Sequence, residues 1–338
     1  MRVVQAVRSD GFAGVERHIA VLARAQAEQG LTVHVIGGHP DAMASALRGA
    51  TVHHTPAAST GDVIRELRAL RDVDIVHVHM TAAEVAAVAS RVRSPIVTTR
   101  HFAGKRLGRS PLRPLAPLIR RAVAAQVAVS RYVAESVDGR SVVIHPGVEP
   151  RTIGGPSPRS QTVLVAQRHQ PEKETYLALL AFAASGLGDQ GWRLRVAGRG
   201  TDDPSMRALV TSLGVGASTE LLGHCEDIAD LMRGAAVLLA PCRREGLGMT
   251  VLEAMALGLP VVAARSGGHL ETVGLAGDRF LFPPGDHLAA AKLLQELAVE
   301  PGEAAVYGRR LQSVQRRVFT PQNQARRTVA LYEEVLGA

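Results

Sequence analysis

The sequence predicts an α/β protein of two domains, each a parallel sheet covered by helices. Three observations carry this expectation. A chain of 338 residues with 46% hydrophobic content exceeds one ordinary core and suits two domains of about 150 residues each. Short Val/Ile runs alternate with Ala/Leu-rich periodic segments, the pattern of strands buried on both faces between helices. Glycine-bearing turns then stand where an apolar run gives way to helical spacing, as Gly246 and Gly248 do after residues 237–240.

Taken in order, residues 3–7 read as the first strand, and residues 9–16 as a turn opening a helix that Gly30 stops. Residues 32–36 form the second strand, 62–70 a helix and 74–79 the next strand. His77 and His79 project to one face of it, but with no cysteine or third ligand nearby the pair does not read as a metal site. Asp72 and Asp74 precede that strand, whereas open α/β sheets gather ligands beyond the carboxyl ends. The strand at 95–99 is followed by Arg100 and His101, on the edge where chemistry is expected.

Next comes the most basic part of the chain. The net charge is +8, the first 150 residues hold 19 basic and 12 acidic side chains, and residues 85–134 hold ten Lys/Arg and no Asp or Glu. From 102 to 121 this stretch carries Gly and Pro breaks before a helix expected from about Pro114. It is open to three readings: contact with an anionic membrane surface, reception of an anionic acceptor, or plain solvated surface. Nucleic acid does not fit, because no recognition motif accompanies the charge and aromatic residues are only 3% of the chain.

Residues 126–129 and 141–144 complete the first domain, and the Gly-, Pro- and Ser-rich segment 150–160 is a linker. The expected division is therefore 1–151, 152–318 and a closing segment 319–338. The second domain opens with a strand at 162–166, beyond which stand Arg168 and Lys173. Two cations at a strand end can meet a diphosphate, whose departure fixed positive charge stabilises most in the transition state; taken alone, the pair also reads as ordinary surface charge. Gly198-Arg199-Gly200, after the strand at 193–197, is too short for a dinucleotide fingerprint. After a short helix at 227–233, residues 237–260 read as strand, turn and helix, ended by Gly258 and Pro260. Glu253 lies one or two turns into that helix. A strand follows at 261–264, a strand and turn at 280–286, and helices at 287–297 and 321–336.

Cys225 and Cys242 lack metal-site spacing and read as reduced, packed thiols. The N-terminus has no long apolar region, and nowhere do eighteen apolar residues run together, which predicts a cytoplasmic protein.

Several of these residues also carry a family resemblance. Glu245 and Glu253 within EGLGMTVLEAMALGLPVV, followed by Ser266-Gly267-Gly268 and Glu271, resemble the signature of the family-four retaining glycosyltransferases, the glycosyl transferases group 1. Gly14-Val15-Glu16 resembles the family's Gly-x-Glu element, and Val97 to His101 its V-x-T-x-H strand end. Arg168 and Lys173 match its R-x-x-x-x-K element, with Glu174 standing where the family usually has glycine. Residues 145–149 resemble its P-N-G-V-D corner, with Pro146 displacing the asparagine, and 220–224 the segment whose backbone reads the nucleotide base.

The resemblance implies a GT-B fold, two Rossmann-like domains with parallel sheets facing a central cleft, the acceptor on the first and the nucleotide-sugar donor on the second. The closing helix would pack back on the first domain. It implies a hexosyltransferase that moves a sugar from a nucleotide diphosphate sugar to an acceptor hydroxyl with retention of configuration, using no metal and no other cofactor. The acceptor would be a glycan, a glycolipid or a small metabolite. Arg168 and Lys173 would hold the leaving diphosphate, and Glu253 the ribose hydroxyls. Glu245, with the backbone of Gly246, Leu247 and Gly248, would hold the sugar and phosphate, and His101 would contact the transferred sugar and the distal phosphate. Gly14 and Gly223 would allow close backbone approach. An anionic membrane surface could be met through residues 100–121, at the inner face. Two other readings stay open: another GT-B activity, such as a nucleotide-sugar epimerase or a phosphorylase, and a non-catalytic nucleotide-sugar binding module.

Overall fold

The computed structural model describes residues 1–108, 110, 113–151 and 159–337, so most of the expected linker lies outside the described residues. The chain divides into two compact units, one of Met1–Glu149 with Phe319–Ala338 and the other of Pro150–Val318.

The first unit is built on seven parallel strands: β1 (Arg2–Val7), β2 (Thr32–Ile36), β3 (Val52–Thr55), β4 (Ile75–His79), β5 (Ile96–Arg100), β6 (Val123–Ala128) and β7 (Val142–Val143). Their order is β3-β2-β1-β4-β5-β6-β7. All five residues of β4 and of β5 are buried, as expected of central strands covered on both faces. The winding reverses between β1 and β4, whose register pairs Gln5 with His77 and Val7 with His79. Such a reversal opens a crevice at the carboxyl ends of the strands, where ligands of open α/β sheets bind.

Two helices tie the chain ends to this sheet. The Gly14–Glu28 helix buries His18, Ile19, Leu22, Ala25 and Gln26. Its Leu22 and Ala25 meet Ala325 of the Pro321–Gly337 helix, whose Leu331 and Tyr332 join Val3, Ile75 and Val97 in one core cluster. The chain returns at Gly147, where an added Cβ would lie 2.4 Å from the Pro321 nitrogen, so only glycine admits the crossing. Val148 N–H donates to Phe319 C=O across the same junction at 2.9 Å.

The basic stretch is less solvated than its composition suggests. Arg106 is 1% exposed. Its guanidinium donates to both oxygens of the buried Glu84 at 2.9 and 3.0 Å, to Asp138 at 2.6 Å and to Gln126 at 2.7 Å. Four acceptors satisfy a charge that burial would otherwise expel. Arg100 is also buried. Arg113, Arg120 and Arg121 stay exposed around a short 3-10 turn, Arg113–Leu115, and the helix Ala116–Ala122.

The second unit carries six parallel strands: β8 (Thr162–Ala166), β9 (Arg193–Ala197), β10 (Thr219–Gly223), β11 (Val237–Ala240), β12 (Val261–Ala264) and β13 (Leu281–Phe282). They lie in the order β10-β9-β8-β11-β12-β13, and the winding reverses between β8 and β11. The Met249–Ala256 helix leaves β11 through the turn 241–248 and buries Val251, Leu252, Ala254, Met255 and Ala256. Among the described residues, no helix is long and apolar enough to cross a membrane.

Candidate active site

In the second unit the reversal between β8 and β11 brings two of the expected residues into contact. Lys173 stands in a 3-10 turn (Pro171–Lys173) beyond β8, and Glu245 in the turn beyond β11. Lys173 Nζ donates to Glu245 Oε2 at 2.6 Å, with both side chains 20% exposed. Burial alone would push the Glu245 carboxyl up, but the Lys173 ammonium, with His269 and the Cys242 thiol, outweighs it and holds the group below the usual carboxylate range. Burial likewise works against the Lys173 charge, and Glu245 overrides it, so the ammonium is held above its ordinary value. The result is a charged pair at pH 7. Arg168 is exposed and close enough for its charge to act against that of Lys173, an excess of cations that an anion would relieve.

The turn beyond β11 is packed too tightly for side chains. Gly268 N–H donates to Glu245 C=O at 2.9 Å. A Cβ on Gly268 would lie 2.2 Å from Leu247 Cα, and one on Gly267 2.5 Å from the Glu245 oxygen. Gly248 has φ +94 and caps the Met249–Ala256 helix, so the first-turn amides of that helix follow a left-handed residue that favours glycine. Gly246 and Leu247 are buried in this turn, and Glu253 is half-buried in the second turn of the helix. Gly223 ends β10 with φ +64, and an added Cβ there would meet the Asp202 carboxylate at 3.0 Å.

Glu174 has a specific role where glycine was expected. Its φ is +51, the left-handed region, and it caps the Thr175–Ser185 helix. It is 4% exposed, and one of its oxygens accepts from Arg243 Nε at 2.8 Å and from Arg243 Nη2. An ion pair thus holds a side chain at a position whose backbone suits glycine.

In the first unit, His101 follows β5 and is half-buried. Around it the β1/β4 reversal assembles His18 and His79, with one nitrogen from each of the three within 4.8 Å of the others. His79 Nδ1 lies 3.0 Å from His101 Nε2, and His79 Nε2 lies 2.7 Å from Gln5 Oε1. His77 is bonded instead to Tyr332 and Thr99. Burial keeps all four imidazoles neutral, pushing His18 down to about 4 and His77 to about 3, and His79 and His101 well below 6.5. Gly14, at the start of its helix, is exposed and has open space where a Cβ would go. The Glu16 carboxylate of the same element caps the helix, accepting from Ala13 N–H at 2.8 Å.

Residues 151–312 match the family model of the glycosyl transferases group 1, and residues 12–152 that of Glycosyltransferase Family 4. The chain belongs to the group 1 glycosyltransferases. An exopolysaccharide phosphotransferase from Streptomyces coelicolor is 29% identical over 252 residues, 71% of this chain and 27% of that protein. A D-inositol 3-phosphate glycosyltransferase from Catenulispora acidiphila is 29% identical over 312 residues, 75% of this chain and 73% of its own. Four curated relatives, the Streptomyces coelicolor protein among them, are matched over only 27% to 44% of their own length. The crystal structure of Anabaena HepE in complex with UDP and glucose superposes with a TM-score of 0.82 at 19% identity, covering 99% of this chain and 100% of HepE. At that identity the likeness establishes the fold, two Rossmann-like units of the GT-B class.

His269, His18, Gln5 and Tyr332 are part of these arrangements, as is Gln324, whose amide nitrogen lies 3.1 Å from His18 Nε2, and they carry no sequence signal of their own. His269 donates from Nδ1 to the Ala264 carbonyl at 3.0 Å and lies beside Glu245.

Proposed function

We propose that this group 1 glycosyltransferase moves a hexose from a nucleotide diphosphate sugar to an acceptor hydroxyl, with retention of configuration and without a metal. The observation that carries this reading is the Lys173–Glu245 pair at the β8/β11 reversal, with Arg168 beside it. When the bond from the anomeric carbon to the phosphate oxygen breaks, negative charge grows on the diphosphate. Lys173, freed from part of its bond to Glu245, and Arg168 offset it where it grows, which lowers the barrier rather than merely tightening binding. The helix opening at Met249 adds its amide N–H groups and dipole to the same charge. Glu245, released from Lys173, accepts from hydroxyls of the sugar, and Glu253 from the ribose diol. The departing phosphate oxygen takes the proton of the attacking acceptor hydroxyl on the same face, so configuration is retained.

HepE has also been crystallised with UDP-glucose, which supports a UDP-hexose as the first donor to try. The first unit takes the acceptor, a sugar, a lipid-linked sugar or a small polyol. Leu115 and Leu118 are exposed on the turn and helix that carry Arg113, Arg120 and Arg121, a face suited to the anionic inner leaflet of a membrane.

The deciding experiment incubates the enzyme with radiolabelled UDP-glucose, alone and with candidate acceptors, in EDTA. Free UDP appearing together with an α-configured glycoside supports the reading. An isomerised sugar nucleotide, a sugar phosphate, inversion, or activity restored only by Mn²⁺ would each refute the corresponding part. Sedimentation with phosphatidylserine vesicles at low salt tests the membrane face, and absence of binding removes it.

A further inference from the structure

The histidines at the β1/β4 reversal sit in a hydrogen-bond network whose proton positions follow from donor and acceptor counting. Gly147 N–H, which can only donate, meets Gln324 Oε1 at 2.7 Å, so the Gln324 amide nitrogen faces His18 Nε2 at 3.1 Å as a donor. His18 therefore holds a lone pair at Nε2 and its proton at Nδ1. That Nδ1–H is buried and has no partner among the described residues, in a side chain 3% exposed.

The second chain starts at Tyr332, whose hydroxyl has one hydrogen and three polar neighbours. Gln5 Nε2 lies at 3.1 Å, Gln26 Nε2 at 3.2 Å and His77 Nδ1 at 2.5 Å, while Gln5 Nε2 also donates to Gln26 Oε1 at 2.8 Å. Turning both amides over would set two carbonyl oxygens against one hydroxyl hydrogen. With the amides as placed, every contact joins one donor to one acceptor, and the Tyr332 O–H points to His77. Gln5 Oε1 then accepts from His79 Nε2–H, which leaves His79 Nδ1 bare. That lone pair accepts from His101 Nε2–H, and His101 keeps its own lone pair on Nδ1.

We propose that Gln5 and His79 are positioning residues that fix His101 as a pure acceptor, and that Gln324 fixes His18 as a pure donor. Together the two imidazoles present one acceptor and one buried donor at the carboxyl edge of the first sheet. A neutral hydroxyl, which both gives and takes a hydrogen bond, satisfies such a pair. A carboxylate or phosphate does not, because it would face the His101 lone pair with its own. That the hydroxyl belongs to a sugar rests on the glycosyl-transfer reading above; the tautomers do not.

The test is a long-range proton–nitrogen correlation spectrum of the full chain labelled with ¹⁵N-histidine at neutral pH, with no substrate added. His79 and His101 are expected to carry their proton on Nε2 and His18 on Nδ1. Gln5→Leu, which removes the acceptor of His79 Nε2–H, should shift His101 to a mixture of both tautomers, and Gln324→Leu, which removes the donor to His18 Nε2, should do the same to His18 while leaving His101 in its single form. A His101 protonated at Nδ1 in the unaltered protein would overturn the proposal even if neither variant folds. So would loss of all three proton signals on titration with Zn²⁺ at one equivalent, which would make the cluster a metal site. Absence of glycosyl transfer would leave these spectra unchanged, so the two readings fail separately.

Discussion

Lys173 and Glu245 each need the other to stay charged while largely buried. In Lys173→Ala the Glu245 carboxylate loses its closest cation and the diphosphate loses a fixed one. We expect kcat to fall by about two orders of magnitude, with nucleotide affinity changing by less than about tenfold. Steady-state kinetics and calorimetric titration with UDP measure the two. A loss of affinity with kcat unchanged would mean that Lys173 holds the ground state and the transition state equally. Glu174 poses a different residue-scale question, because its left-handed backbone and its Arg243 pair act in opposite directions. Glu174→Ala loses the pair and keeps the strain, whereas Glu174→Gly loses the pair and relieves it. Glycine should be the more stable of the two by about 1 kcal/mol, seen as a higher midpoint in urea.

Element-scale behaviour turns on two glycines that sequence patterning treats alike. Gly268 has no room for a Cβ, which would fall 2.2 Å from Leu247 Cα, while Gly14 has nothing within 4 Å. Gly268→Ala must move the turn that carries Glu245 and should cost about 1–3 kcal/mol along with activity. Gly14→Ala, at a helix start, should be neutral or raise stability by a few tenths of a kcal/mol. A fall in activity without a fall in melting temperature at Gly14 would reveal close approach of a ligand to that backbone. Most strands were legible because strands buried on both faces must be apolar, as in Val237–Ala240 and Val261–Ala264. β3 escaped because it is a half-exposed edge strand with two histidines, Val52-His53-His54-Thr55. The Met80–Ser90 helix starts directly after β4 without a turn residue to announce it, and the long helix Pro301–Val318 was also missed. In the site, residues close in sequence were legible through the 241–260 motif, and Arg168 and Lys173 through their strand end. The Gln5–Tyr332 and His18–Gln324 contacts join residues more than 300 positions apart. No local spacing encodes them. They exist because the closing helix lies against the Gly14–Glu28 helix.

At the scale of the whole molecule, the two units should respond differently to acid. His18 and His77 titrate near 4 and 3 in the native first unit, against 6.5 when unfolded. Between these values the unfolded chain binds protons that the native unit refuses, so stability falls as pH drops through 6.5 and goes on falling toward the native values. At pH 5 the loss is roughly 2 kcal/mol for each of these two histidines, with His79 and His101 acting in the same direction. The second unit has the opposite arrangement at its site. The Glu245 carboxyl is held low, so the stability it contributes is present above the ordinary carboxylate range and is lost only as pH falls through its depressed native value. Burial lowers His269 in the second unit as well, but the first unit holds the larger cluster of such histidines and should therefore weaken more than the second between pH 6.5 and 5. The single tryptophan, Trp192, is buried in the second unit and reports on that unit alone. At pH 7.5 thermal transitions by tryptophan fluorescence and by far-ultraviolet circular dichroism should lie close together. At pH 5 the dichroism transition should begin at lower temperature and separate from the fluorescence one. Transitions that move down together, or fluorescence leading, would show that the buried histidines do not set the acid sensitivity of the first unit.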